Sequence, residues 1–240
     1  MGTTLSNARK QEIRDSFAAV RGRMRQAGAT EDVCLLAATK HVPANEINFA
    51  IHELGLTCIG ENRVQELLEK YDFIDREAVQ VHFIGGLQSN KVKYIIGKVA
   101  LIHSLDSLSL AREIERQAAK REIVQDVLVE INVCEEASKG GILLAELPCF
   151  LKEIASFSHI RVRGLMTMGR RGMSIEEYRE HFLRVREMWE RLRADGWQME
   201  VLSMGMSDSY EIAIACGSNT VRVGTALFGA RITAQEGAKQ

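Results

Sequence analysis

The chain has 240 residues, 46% of them hydrophobic and 26% charged, and a formal net charge of −1. This is ordinary globular composition, and a chain of this length buries a sizeable core. The near-neutral balance supplies no global field for nucleic acid or anionic lipid, so neither is expected as a partner.

The first predicted element is a helix. Ile13, Phe17, Val20 and Met24 recur at the spacing of one helical face. Residues 33–38 then form a short continuous apolar run, the pattern of a strand buried on both sides. Pro43 suits the first turn of a helix carrying Ile47, Ile51 and Leu54, which Gly55 ends. Further strand-like runs follow at 57–59, 81–84, 100–103, 124–131, 160–165, 200–202 and 220–223, with helical segments between them. The clearest helix spans about 174–194. Ser174 and Glu177 have capping-box spacing there, and Ile175, Tyr178, Phe182, Val185, Trp189 and Leu192 lie on one stripe.

Strands alternating with helices predict a parallel sheet. Eight of them in about 200 residues predict a single (β/α)8 barrel preceded by an extra helix. An open doubly wound sheet is the alternative. With only two prolines and no low-complexity linker, residues 1–240 read as one domain.

The five cysteines, Cys34, Cys58, Cys134, Cys149 and Cys216, include no C-x-x-C pair and read as reduced thiols of a cytoplasmic protein. The six histidines form no H-x-x-x-H pair, so no metal site is expected. No apolar run reaches the ~20 residues that span a bilayer, and the N-terminus lacks the apolar stretch of a signal peptide.

In a parallel barrel, chemistry gathers at the C-terminal ends of strands. The first strand ends at Thr39-Lys40-His41. A lysine projecting into a desolvated barrel mouth favours the neutral amine, which attacks aldehydes; the alternative is a surface lysine opening a loop. After the seventh strand comes Met204-Gly205-Met206-Ser207-Asp208-Ser209. Asp208 and Glu211 have capping-box spacing, so a helix start is expected there, with free N–H groups and the Ser207 hydroxyl nearby. The eighth strand ends as Arg222-Val223-Gly224-Thr225. The loops after these two strands are the usual phosphate site of such barrels. A lysine at the first strand and a phosphate cradle at the last two fit pyridoxal phosphate or a sugar phosphate held by a Schiff-base aldolase. Arg222 shares the strand face of Gly224. Facing a pyridine nitrogen, it would keep that nitrogen unprotonated and slow carbanion chemistry.

Long ordered segments carry a resemblance: 35–40 (LLAATK), 60–66 (GENRVQE), 82–91 (HFIGGLQSNK), 103–106 (HSLD), 164–166 (GLM), 202–208 (LSMGMSD) and 221–229 (VRVGTALFG). Across 35–231 the chain resembles the YggS/PROSC-type pyridoxal phosphate homeostasis proteins. The resemblance implies a barrel like the N-terminal domain of alanine racemase, of pyridoxal phosphate fold-type III, without a second domain. It implies Lys40 as the Schiff-base lysine. It places the cofactor phosphate on Ser207, Gly224 and Thr225, Arg222 near the pyridine nitrogen, and Asn62, His82 and Met204 around the ring. It further implies a monomeric cofactor carrier without catalytic residues, serving apo-enzymes that require pyridoxal phosphate. A slow racemase-like enzyme is the alternative. Two positions depart from many relatives. Thr39-Lys40-His41-Val42 replaces Ser-Lys-Thr-Lys and lacks its second lysine, and Arg63 stands where tyrosine is common. Lys139 matches a lysine-bearing family loop.

Overall fold

Every apolar run becomes a strand in the computed structural model, which describes residues 5–136, 140–170 and 172–229; Lys139 lies outside them. The strands are β1 (Cys34–Ala38), β2 (Cys58–Glu61), β3 (Gln80–Phe83), β4 (Leu101–Leu105), β5 (Gln125–Ile131), β6 (Ile160–Thr167), β7 (Val201–Ser203) and β8 (Thr220–Val223). All pair in parallel, in chain order, and the barrel closes where β8 meets β1. Closure rules out the open doubly wound sheet. Ala37 sits opposite Ile59 on one side and Val223 on the other. β4 and β6 each run two residues past the apolar stretches that announce them. Each extension contains one fully buried polar residue, Ser104 and Thr167, and Thr167 donates its hydroxyl to the Ile131 carbonyl at 2.9 Å.

The helices are α1 (Asn7–Gln26), α2 (Ala44–Leu54), α3 (Val64–Tyr71), α4 (Val92–Ile95), α5 (Leu108–Ala119), α6 (Leu147–Ile154), α7 (Ile175–Ala194), α8 (Tyr210–Ala215) and α9 (Thr225–Phe228). α2 ends at Gly55 in the left-handed region, φ 62°. On α7 the reciprocal cap forms: Glu177 N–H donates to Ser174 Oγ and Ser174 N–H to Glu177 Oε2, at 3.2 and 2.7 Å. α1 braces the outside of the β8–β1 seam. Its buried face is Ile13, Phe17, Val20 and Met24. Its Arg9 donates to the Glu46 carboxylate on α2 and to the Phe228 carbonyl on α9, at 2.8 and 2.7 Å.

Two kinds of core follow from strand alternation. The main one fills the space between sheet and helices. Inside the barrel lie two small apolar clusters, one built on Leu36, Cys58 and Ile84, the other on Leu101, Leu128 and Met166. No helix among the described residues is long and apolar enough to cross a membrane. All five cysteines are free thiols.

Candidate functional site at the barrel mouth

Lys40 follows β1 in a four-residue turn closed by the Val42 N–H donating to the Thr39 carbonyl at 2.9 Å. The third residue of the turn, His41, has φ 63°, as a type II turn requires. Lys40 is half-buried, and among the described residues its amine makes no hydrogen bond or ion pair. The backbone on either side is held from outside the barrel. Lys70 of α3 donates to the Thr39 carbonyl at 2.8 Å and pairs with Glu61 at 2.6 Å. Glu66, one turn earlier on α3, accepts the His41 N–H at 3.0 Å.

The turns after β7 and β8 are joined. Gly224 N–H donates to Ser207 Oγ at 3.2 Å. A Cβ on Gly224 would come within 3.1 Å of the Ala38 carbonyl oxygen, two residues before Lys40. Gly205 turns the chain with φ 87°, and a Cβ there would lie 2.6 Å from the Ala213 side chain, so this bend needs glycine. The helix start differs from its sequence expectation. α8 begins at Tyr210 after Ser209, with no side-chain cap, so Asp208 and Glu211 form no capping box. Ser209 Oγ instead accepts the Met206 N–H and donates to Asp208, at 3.2 and 3.1 Å. That contact closes the turn before the helix begins. Ser207 is half-buried and Thr225 exposed.

Below the mouth, a polar chain crosses the barrel interior. Arg222, 4% exposed, donates to Ser203 Oγ at 2.5 Å, to the Ser203 carbonyl at 2.9 Å and to the Thr167 carbonyl at 2.9 Å. Ser203 Oγ meets His103 Nδ1 at 3.2 Å, and His103 Nε2 meets His82 Nδ1 at 3.0 Å. His82 Nε2 then meets Cys58 Sγ at 3.4 Å and Gln80 Oε1 at 3.5 Å. The direction follows from the donors. Arginine only donates, so Ser203 accepts from it and gives its single proton to His103. Each histidine then donates from Nε2, and Gln80 ends the chain as an acceptor. Both rings are neutral: burial pushes His82 down to about 4 and His103 well below its ordinary value. Burial also lowers Arg222 to about 10, which leaves it a cation at neutral pH. Glu130 on β5 is pushed up to about 7 by burial, with Asp106 adding repulsion and Arg222 opposing it.

The structure thus brings Lys40, Ser207, Gly224 and Thr225 to the adjoining ends of β1, β7 and β8, with Arg222 beneath. Asn62 is half-buried at the β2–α3 junction. Its carbonyl leaves no room for a Cβ on Gly85 after β3, with 2.1 Å between them. His82 sits lower, partnered at both ring nitrogens. Met204 is not brought in. It follows directly on β7, and its side chain is fully buried in the main core between sheet and helices. Sequence reasoning missed Glu61, Glu66, Lys70, His103 and Ser203. The only local signal was polar residues interrupting apolar strands. Two clefts, of about 620 and 370 Å³, open near the starts of β1 and β6, away from Lys40. No cluster of metal-ligating side chains occurs among the described residues.

Residues 9–232 match the family described as alanine racemase, N-terminal domain. The chain is 44% identical over 208 residues to the pyridoxal phosphate homeostasis protein of Aquifex aeolicus, covering 86% of this chain and 91% of that one. It is 36% identical over 226 residues to the protein of the same name from Escherichia coli K12, covering 92% and 94%. PipY of Synechococcus elongatus, solved with pyridoxal phosphate bound, matches with a TM-score of 0.78 and 30% identity. That match covers 90% of this chain and 100% of that one.

Proposed function

Because the chain belongs to the pyridoxal phosphate homeostasis proteins of the alanine racemase N-terminal domain family, we propose that it binds pyridoxal 5′-phosphate as a reversible Schiff base on Lys40 and carries or buffers it, rather than using it for rapid catalysis. One juxtaposition supports this most. An amine with no partner among the described residues stands at the end of β1, beside two turns that Ser207 and Gly224 tie together. The cofactor supplies an aldehyde, which condenses with the Lys40 amine as a C=N bond forms and the carbonyl oxygen leaves as water.

The chain's own groups fit that cargo. Ser207, Gly224 and Thr225 hold the phosphate, where hydroxyls and close backbone approach suit an anion. Arg222 keeps a fixed positive charge on the inner side, pinned by Ser203 and Thr167. A cation there disfavours protonation of the ring nitrogen and weakens the ring as an electron sink. Asn62 and His82 flank the ring. Apo-enzymes that require the cofactor are the recipients in this reading.

The test titrates the protein with pyridoxal phosphate, following the imine absorption band, and then mixes loaded protein with an apo-enzyme. The reading expects a saturable band lost in Lys40→Ala, reactivation of the apo-enzyme, and no turnover of an amino-acid panel. Turnover that disappears in Lys40→Ala favours the racemase-like alternative instead.

A further inference from the structure

Lys40 occupies an awkward piece of backbone. The next residue, His41, has φ 63°, a conformation that side chains other than glycine adopt only when their surroundings impose it. Those surroundings are charged. The two peptide units flanking the Lys40 Cα are each gripped by one side chain of α3. On the near side, Lys70 donates to the Thr39 carbonyl at 2.8 Å. On the far side, Glu66 accepts the His41 N–H at 3.0 Å. Glu66 and Lys70 lie one helical turn apart, so a single face of α3 supplies both contacts.

The grip is itself anchored. The Lys70 ammonium has three donors, and each has an acceptor: Glu61 at 2.6 Å, the Thr39 carbonyl, and the Val42 carbonyl at 3.4 Å. Glu61 is fully buried, and the Thr39 hydroxyl reaches the same carboxylate oxygen at 2.6 Å. Its other oxygen has no partner among the described residues. Lys70 reaches into this buried carboxylate, and the carboxylate in turn holds the Lys70 ammonium in place.

We propose that Glu66 and Lys70, backed by Glu61, are positioning residues for Lys40. They impose the strained turn and so fix the direction in which its amine leaves the strand. The inference rests on the reading of Lys40 as the Schiff-base lysine. It assigns α3, which does not contact the reacting atoms, the task of aiming the amine.

The experiment compares Glu66→Ala, Glu66→Gln, Lys70→Met and Glu66→Ala with His41→Gly against wild type. Two ligands are used: pyridoxal phosphate, and pyridoxine phosphate, which keeps the phosphate but lacks the aldehyde. Glu66→Ala and Lys70→Met each lower imine affinity about tenfold, since each releases one of the two peptide units beside Lys40 from a charge-assisted hydrogen bond. Pyridoxine phosphate binding changes less than about twofold, since the phosphate contacts are untouched. Glu66→Gln keeps an acceptor and loses less. Adding His41→Gly to Glu66→Ala restores imine formation, because glycine adopts the turn unaided. Lys70→Met leaves Glu61 buried without its cation, so Glu61→Gln/Lys70→Met serves as the folded version of that test. In ligand-free protein, hydrogen exchange at the His41 N–H accelerates in Glu66→Ala.

Equal losses for both ligands, unchanged imine affinity in folded variants, or unchanged exchange at His41 overturn the proposal. Wild-type protein with no reducible adduct on Lys40 overturns the functional reading instead, and the exchange rates then still decide whether α3 holds the turn.

Discussion

Replacing Ser203 with alanine removes one oxygen from the centre of the barrel and cuts two contacts. Arg222 loses its 2.5 Å acceptor but keeps the Ser203 and Thr167 carbonyls. A hydrogen bond to a charged group contributes about 1.5–3 kcal/mol, and the surviving partners bring this loss to the low end. On the other side, His103 Nδ1 loses the donor 3.2 Å away in a ring with no exposed surface. An orphaned buried acceptor costs about 1–3 kcal/mol. The sum is roughly 3 kcal/mol, a large share of the 5–15 kcal/mol that typically holds a domain together. Urea unfolding of ligand-free protein at neutral pH reads it as a lower midpoint with unchanged slope. A double-mutant cycle adds the direction of the chain. His103→Phe should cost less in the Ser203→Ala background than in wild type, by about 1 kcal/mol. A loss under about 0.5 kcal/mol, the range of an inconsequential surface change, or strictly additive losses, would refute a continuous chain from Arg222 to Gln80.

Three more outcomes follow from the same geometry. His82 sits at about 4 in the folded state against an ordinary 6.5, so the unfolded chain takes up its proton first as pH falls. The stability advantage of wild type over His82→Gln should therefore be whole above 6.5 and shrink toward pH 4; a gap constant with pH contradicts the buried neutral ring. Glu130 has the opposite sign. Its folded value is about 7 against 4.5, so its ionisation costs the fold as pH rises through that window. Glu130→Gln should gain on wild type by roughly 1–3 kcal/mol across it, and a gain already present at low pH would exclude titration as its cause. Ser207→Ala with Thr225→Ala should weaken pyridoxal phosphate binding at least several-fold, since charge-assisted hydrogen bonds contribute about 1.5–3 kcal/mol each. Isothermal titration measures it, and unchanged affinity removes the phosphate role of both hydroxyls.

The fold was legible because a parallel barrel buries each strand on both sides and so writes it as a bare apolar run, as at residues 34–38. α1 and α7 were legible for the complementary reason, a one-sided stripe of apolar residues. Strand ends were less so. Ser104 and Thr167 fall outside the apolar runs of the sequence but are interior polar groups within the longer β4 and β6. Lys40, Ser207 and Gly224 were expected at strand ends, and the structure places them there, at the ends of β1, β7 and β8. Met204 was misplaced for want of a signal that its side chain joins the main core. Glu66 and Lys70 carry no local signal, and Glu61 only that of a charge ending an apolar strand. Their roles exist only once α3 folds back against the β1 turn. Likewise, His103 and Ser203 meet across 100 residues of chain, and nothing in either neighbourhood announces the other.

In the proposed function, binding and release of the cofactor both turn on the Lys40 amine. Borohydride reduction of cofactor-saturated protein, followed by proteolysis and peptide mass mapping, tests it most directly. The expected product is a pyridoxyl group on the peptide bearing Lys40 and on no other lysine in comparable yield. A saturated protein that gives no adduct, or one whose adduct lies chiefly on another lysine, would contradict it.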